Sequence, residues 1–83
     1  MSKFEKGMLA KSKAGHDEGN VYIIVETDKD FLYLADGKIR TLDRPKRKKR
    51  KHVQPILKKY NVSGADDTAI KRILKEWNKE EEK

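Results

Sequence analysis

The stretch MLAKSKAGHDEGNVYIIV, residues 8–25, decides the fold of this chain. Residues 8–12 are a short segment of three apolar and then two polar residues, and residues 21–25 form an unbroken, mostly β-branched apolar run. A polar loop lies between them, with Gly15 and Gly19 at its ends, and glycine reaches positive φ angles without steric cost. This order of short segment, turn residues and apolar run predicts two antiparallel strands joined by a tight loop.

The residues that follow predict further strands. Asp36-Gly37 is typical of a two-residue type I′ turn, in which both central residues need positive φ angles. Beyond that turn, Ile39 and Leu42 provide apolar contacts for a fourth strand, and Pro45 ends it because proline cannot donate to a strand ladder. The predicted strands are residues 8–12, 21–27, 31–35, 38–42 and a short closing strand at 52–54.

Strands this short favour a small, mainly β, SH3-like barrel. An open sheet of the same size would leave edges unpaired and bury too little area. We therefore predict a barrel over residues 5–56 and a C-terminal helical extension over residues 57–83, with fraying expected at residues 1–6 and 80–83. Phe4 is expected to fold back onto the core.

The extension has a helical pattern in two parts. Pro55, which suits a first helical turn, begins a short segment with Ile56, Leu57 and Tyr60. A second helix is predicted over residues 66–79, with acidic residues at its positive N-terminal end. One apolar stripe of this helix either packs it onto the barrel or forms a protein interface; its members are Ile70, Ile73, Leu74 and Trp77.

The charge of the chain is concentrated in one segment, the basic run, residues 44–51, which is predicted to be a loop after the fourth strand. The net charge is +7, and the basic run holds seven of the 21 lysines and arginines and none of the 14 acidic residues. The rest of the chain is therefore neutral overall. Such concentration indicates a polyanionic partner, although a lysine-rich segment also resembles a nuclear import signal.

Residues 14–25 resemble a KOW motif, and the likeness continues through residues 31–37 and 51–53. The chain is similar to short large-subunit ribosomal proteins of archaea and eukaryotes and to their small bacterial relatives. This resemblance implies a barrel that docks on structured RNA, above all ribosomal RNA, through its hairpin loop. The chain departs from the family at Asp17 and Glu18, whose carboxylates would oppose phosphates, and at Asn20, where a lysine or arginine is usual. The basic run is therefore ranked above the loop.

The predicted RNA contacts come from the basic run and from the loop. Arginine suits bidentate phosphate contacts and stacking, whereas lysine acts as a point charge. The candidates are Arg44, Lys46, Arg47, Lys48, Lys49, Arg50, Lys51 and His52, together with Lys11, Lys13, His16 and Asn20, and with Gly15 and Gly19 as the loop glycines. Three aromatic residues, Tyr22, Phe31 and Tyr33, are either stacking platforms or core residues, and alternation favours the core for both tyrosines.

Other function classes find little support in the sequence. His16 and His52 have no cysteine or carboxylate cluster at ligand spacing, so no metal and no cofactor is expected. No catalytic motif is present, which argues against an enzyme. The chain has no cysteine, signal peptide or membrane span, which predicts a soluble, monomeric cytoplasmic protein. The alternative is an interaction module of the transcription or translation machinery, which binds ribosomal proteins or RNA polymerase through its C-terminal helix.

Overall fold

Five strands and one α-helix form the structure of residues 4–81, which a computed structural model of the chain describes. The strands are β1 (Met8–Ser12), β2 (Val21–Thr27), β3 (Phe31–Ala35), β4 (Lys46–Lys49) and β5 (Val53–Lys59), and the helix is α1 (Asp67–Glu81). A 3₁₀ turn at Arg50–His52 joins β4 to β5. The ends expected to fray lie partly outside the described residues, at residues 1–3 and 82–83.

All five strands belong to one antiparallel sheet, in the order β4-β3-β2-β1-β5. The edge strands, β4 and β5, do not pair with each other, so the sheet is open. The mainly β class with a C-terminal helix is confirmed. The first three strands begin and end where the apolar segments and the turn residues between them predict.

Each face of the sheet carries an apolar cluster. Side chains alternate between the faces of a strand, so neighbouring residues enter different clusters. We call one side the core face, and its apolar cluster consists of Met8, Ala10, Tyr22, Ile24, Leu32, Leu34 and Val53. Phe4 packs against this cluster, as expected. The other side, the helix face, presents Leu9, Ile23 and Ala35 to Ile70 and Leu74 of α1.

The structure corrects the fourth predicted strand. Residues 38–42 are not a strand, and the side chain of Ile39 is 83% exposed. The fourth strand is Lys46–Lys49, inside the basic run, which had been predicted to be a loop. Four consecutive cations have no apolar pattern, but β3 provides a free ladder, and a charged edge strand keeps its side chains in water.

The helical segment predicted from Pro55 to Tyr60 is also wrong. Residues 55–59 belong to β5, which runs from Val53 to Lys59 and pairs with β1, and Tyr60 follows it. Pro55 is tolerated there because β5 is an edge strand. Such a strand has a neighbour on one side only, so a residue without an N–H group need not interrupt a ladder. The second helix is confirmed, although α1 extends two residues past the predicted end, to Glu81.

Candidate nucleic-acid interface

The ladder between β3 and β4 divides the basic run into two sets of side chains. Tyr33 pairs with Arg47 and Leu34 pairs with Lys46, and paired residues lie on the same face of a sheet. Arg47 and Lys49 therefore lie on the side of the partly buried rings of Phe31 and Tyr33. Lys46 and Lys48 lie on the core face. Sequence alone does not reveal this division, because it predicts a loop here.

The inward set, Lys46 and Lys48, is held by the carboxylate of Asp17. The Nζ atom of Lys48 lies 3.0 Å from Oδ1 of Asp17, and the Nζ atom of Lys46 lies 3.3 Å from Oδ2. Lys48 also donates to the carbonyl oxygen of Ala14 at 2.9 Å. These contacts fasten the β1–β2 loop to β4, which is remote from it in sequence.

Asp17 is buried and fully engaged. Its carboxylate accepts hydrogen bonds from the hydroxyl of Ser12 at 2.9 Å and from that of Tyr22 at 3.4 Å, besides the two lysines. The expectation that Asp17 opposes phosphates at the loop tip is therefore corrected, because its charge is directed inward. Of the two loop carboxylates, the exposed one is Glu18.

These contacts change the acidity of Asp17. Burial by itself would raise its pKa, but hydrogen bonds from Lys48, Ser12 and Lys46 outweigh burial and lower the pKa from 3.8 to about 2. Burial raises the pKa of the Tyr22 hydroxyl, and the adjacent Asp17 charge acts in the same direction. The tyrosine therefore stays protonated and remains a donor to the carboxylate.

The lowered pKa of Asp17 predicts a loss of stability in acid. A carboxyl group whose pKa is lower in the folded state stabilises the protein above its unfolded pKa, and this stabilisation is lost as the pH falls towards about 2. The full contribution is about 2 kcal/mol, of which about 1 kcal/mol should be lost between about pH 6 and pH 3. Urea unfolding of wild type and Asp17→Asn at both pH values measures it, and the variant should show the smaller loss. Equal losses would contradict this assignment.

The outward set consists of Arg47 and Lys49 of β4 and Lys51 of the following turn, and it has no carboxylate partner among the described side chains. Arg47, Lys49 and Lys51 are exposed, and within residues 4–80 no carboxylate forms an ion pair with any of them. The guanidinium of Arg47 lies 4.5 Å from the centroid of the Phe31 ring, within the range of a cation–π contact. We call this surface, Arg47, Lys49, Lys51 and the Phe31 ring, the cationic face.

Arg50 has a structural contact at the turn beside this face. Its guanidinium donates to the carbonyl oxygen of Asp28 at 2.6 and 2.9 Å and lies over the ring of Phe4 at 5.8 Å. These contacts fix the 3₁₀ turn against the β2–β3 connection. Arg44 is exposed and precedes β4.

The β1–β2 loop lies next to the end of the basic run. The backbone N–H of Lys13 donates to the carbonyl oxygen of His52 at 2.8 Å. Gly15 and Gly19 have φ angles of 85° and 90°, as their hinge positions predict. The other predicted contacts of the loop are all exposed; they are Lys11, Lys13, His16 and Asn20. The structure thus brings Lys13 together with the basic run, whereas Asn20 lies at the other end of the loop.

The apolar stripe of α1 is largely used inside the protein. Ile70 is fully buried and Leu74 is 8% exposed, against the helix face of the sheet. Ile73 and Trp77 are half-buried in the same cluster. Packing therefore accounts for the stripe, and the protein interface there stays a prediction. The aromatic expectation holds for both tyrosines, since Tyr22 is buried and Tyr33 half-buried.

The described residues contain neither a metal-ligand cluster nor a membrane-spanning helix. In the described part of the chain, no three histidine, aspartate or glutamate side chains gather as metal ligands would. Residues 4–81 contain no helix with the length and apolarity needed to cross a bilayer.

Sequence reasoning missed the most connected residue of this region, Asp17. The sequence holds only a partial signal for the role of Asp17. Ser12 is the last residue of β1 and Tyr22 lies near the start of β2 on the same face, so a loop carboxylate between them can turn inward. The lysines that complete the contact lie about 30 residues away, and their alternation is visible only once β4 is known to be a strand. No protein-family model matches the chain, and no curated protein matches it, so its likeness to KOW proteins stays a prediction.

Proposed function

We propose that this protein binds structured RNA through its cationic face. The observation that carries the proposal is the outward set of cations on β4 and the following turn, which is exposed beside an aromatic ring and has no carboxylate partner among the side chains of residues 4–80. Alternate residues of a strand are about 7 Å apart. Arg47 and Lys49 can therefore contact neighbouring phosphates of one backbone.

Binding of this kind draws its free energy from counterion release. Each neutralised phosphate frees condensed cations. The logarithm of the affinity therefore falls linearly with the logarithm of the salt concentration, and the slope is proportional to the number of phosphate contacts. Arginine and lysine contacts to phosphates fix the position of the RNA without reading its bases, and recognition then follows the shape of the RNA. Lys13 and His16 of the adjacent loop would add contacts at one end of this face.

The resemblance to KOW proteins supports ribosomal RNA as the target, and the proposal places the protein in the cytoplasm, on the ribosome. The resemblance and the cationic face are independent arguments, since one concerns the loop sequence and the other the position of β4. Within the basic run, we rank the cations of the cationic face above Lys46 and Lys48 as RNA contacts, because those two of the seven cations are already paired with Asp17.

A charge-matched pair of triple variants tests the proposal. The first variant changes three residues of the cationic face to Gln: Arg47, Lys49 and Lys51. The second, the control triple, changes three residues exposed elsewhere to Gln: Lys6, Lys59 and Arg72. Both lower the net charge from +7 to +4. We expect the first to bind a fluorescein-labelled RNA stem-loop about 30-fold more weakly, with a salt slope about 2 to 3 units less steep.

Fluorescence anisotropy at two salt concentrations measures both quantities. The control triple should stay within a few fold of wild type, because long-range attraction is all that it loses. The three positions avoid Lys48 and Arg50, whose contacts hold the fold together, and circular dichroism confirms that each variant is folded. Equal losses in the two triples would overturn the proposal in favour of non-specific attraction.

A further inference from the structure

A groove lies between α1 and the sheet, on the side away from β5. Its volume is about 690 Å³, and the residues that line it include four lysines and two asparagines. Three of the lysines belong to α1 and the fourth follows β3; the six residues are Lys38, Lys71, Lys75, Lys79, Asn20 and Asn78. All six side chains are exposed. We call it the lysine groove.

The lysines of α1 are arranged in a row. Lys71, Lys75 and Lys79 are four residues apart, so their Cα atoms are spaced by about 6 Å along the helix. Like charges four residues apart repel each other and destabilise a helix. The acids Glu76 and Glu80 lie on the opposite flank of the apolar stripe, where Glu80 pairs with Lys58 at 2.7 Å. The row is therefore a cost to the fold that an anion in the groove would offset.

Acidic side chains of the groove do not neutralise the row. The carboxylate that lines it is Asp36, whose Oδ1 accepts the backbone N–H groups of Lys38 at 2.8 Å and Arg40 at 2.9 Å. In the chain from residue 4 to residue 80, no carboxylate forms an ion pair with the ammonium groups of the four lysines. Among the side chains of residues 4–80, none neutralises these four charges, which are therefore available to a ligand.

We propose that the lysine groove is a second phosphate-binding surface, which takes a single strand of the RNA bound at the cationic face. This inference rests on the proposed function. Three observations favour a nucleic-acid backbone: the regular spacing of the charges, the amide groups of Asn20 and Asn78 among them, and continuity with the β1–β2 loop. That loop begins beside His52, which follows the basic run, and ends at Asn20, on the rim of the groove.

The test compares two RNA probes, a stem-loop and the same stem-loop with a single-stranded tail at either end. Wild type should bind the tailed RNA about tenfold more tightly, with a salt slope steeper by about 2, as three single-strand phosphate contacts require. The variant with Lys71, Lys75 and Lys79 changed to Gln should bind the plain stem-loop as wild type does and lose the gain from the tail. Lysine and glutamine have similar helix propensities, so α1 should stay folded.

The control triple at Lys6, Lys59 and Arg72 should keep the gain. An equal gain in wild type and in the lysine-row variant would overturn the inference and leave the cationic face standing. Loss of stem-loop binding by the lysine-row variant would overturn it too, because the two surfaces would then not be separate. If wild type binds no stem-loop, the proposed function fails. The isolated tail then tests the groove alone, and equally strong competition by polyglutamate would reject RNA as its ligand.

Discussion

Replacing Asp17 with alanine is expected to lower the free energy of unfolding by about 3 kcal/mol. The change leaves the ammonium groups of Lys46 and Lys48 without a counter-charge, and Lys48 is only 11% exposed there. Removing one partner of a buried ion pair costs more than the pair contributes, because the remaining charge is left in a poorly solvated site. The hydroxyl of Tyr22 loses its carboxylate acceptor as well, whereas the hydroxyl of Ser12 can still donate to the carbonyl oxygen of Ala14 at 3.1 Å. Urea unfolding at neutral pH measures the loss.

One variant separates the charge of Asp17 from its other contributions, and a second serves as a control for the loop. Asp17→Asn keeps the size of the side chain and an acceptor oxygen, so it should lose less than the alanine variant. Glu18→Ala removes the neighbouring exposed carboxylate of the same loop, and a change within about 0.5 kcal/mol is expected. Similar losses in Asp17→Ala and Glu18→Ala would show that the inward contacts do not stabilise the fold.

Replacing Gly37 with alanine is expected to cost about 3 kcal/mol as well. Gly37 has a φ angle of 78°, and a Cβ atom there would overlap the carbonyl oxygen of Asp67 and crowd the backbone nitrogen of Lys71. Both atoms belong to the first turns of α1, so the helix has to move away from the sheet. The positive φ angle contributes about 1 kcal/mol and the overpacking most of the rest. Thermal and urea unfolding measure the change.

Gly64 provides a matched control for this substitution. Its φ angle is 71°, but no atom lies within 4 Å of the position that a Cβ would take. Gly64→Ala therefore carries only the backbone cost, about 1 kcal/mol. Equal destabilisation at the two glycines would mean that close packing of α1 on the turn adds nothing to stability.

The sequence predicted those parts of the fold whose apolar pattern is local. Leu9 and Ile23 lie in runs whose periodicity already describes a strand, and Ile70 and Leu74 share one helical stripe. Asp36-Gly37 indicated a turn, but the glycine serves the approach of α1 rather than a two-residue hairpin. Nothing near residue 37 in the sequence indicates that a helix begins against it 30 residues later.

The parts that sequence reasoning missed are decided by distant partners. Lys46–Lys49 has no apolar residue, and it becomes a strand because β3 offers it a ladder. Pro55 and Ile56 match a helix start as well as they match an edge strand, and pairing with β1 determines the outcome. For the same reason, the basic run could be located from composition, whereas its separation into paired and exposed cations could not.

The open edge of the sheet gives the basic run a further consequence. An unpaired strand edge can recruit a strand from another molecule, and this is a route to aggregation. Every residue of β4 is a lysine or an arginine, so two such edges repel each other on approach. The opposite edge, β5, carries Pro55, Lys58 and Lys59, which also discourage pairing. The cations proposed to attract RNA thus also keep copies of the protein from joining edge to edge at high concentration.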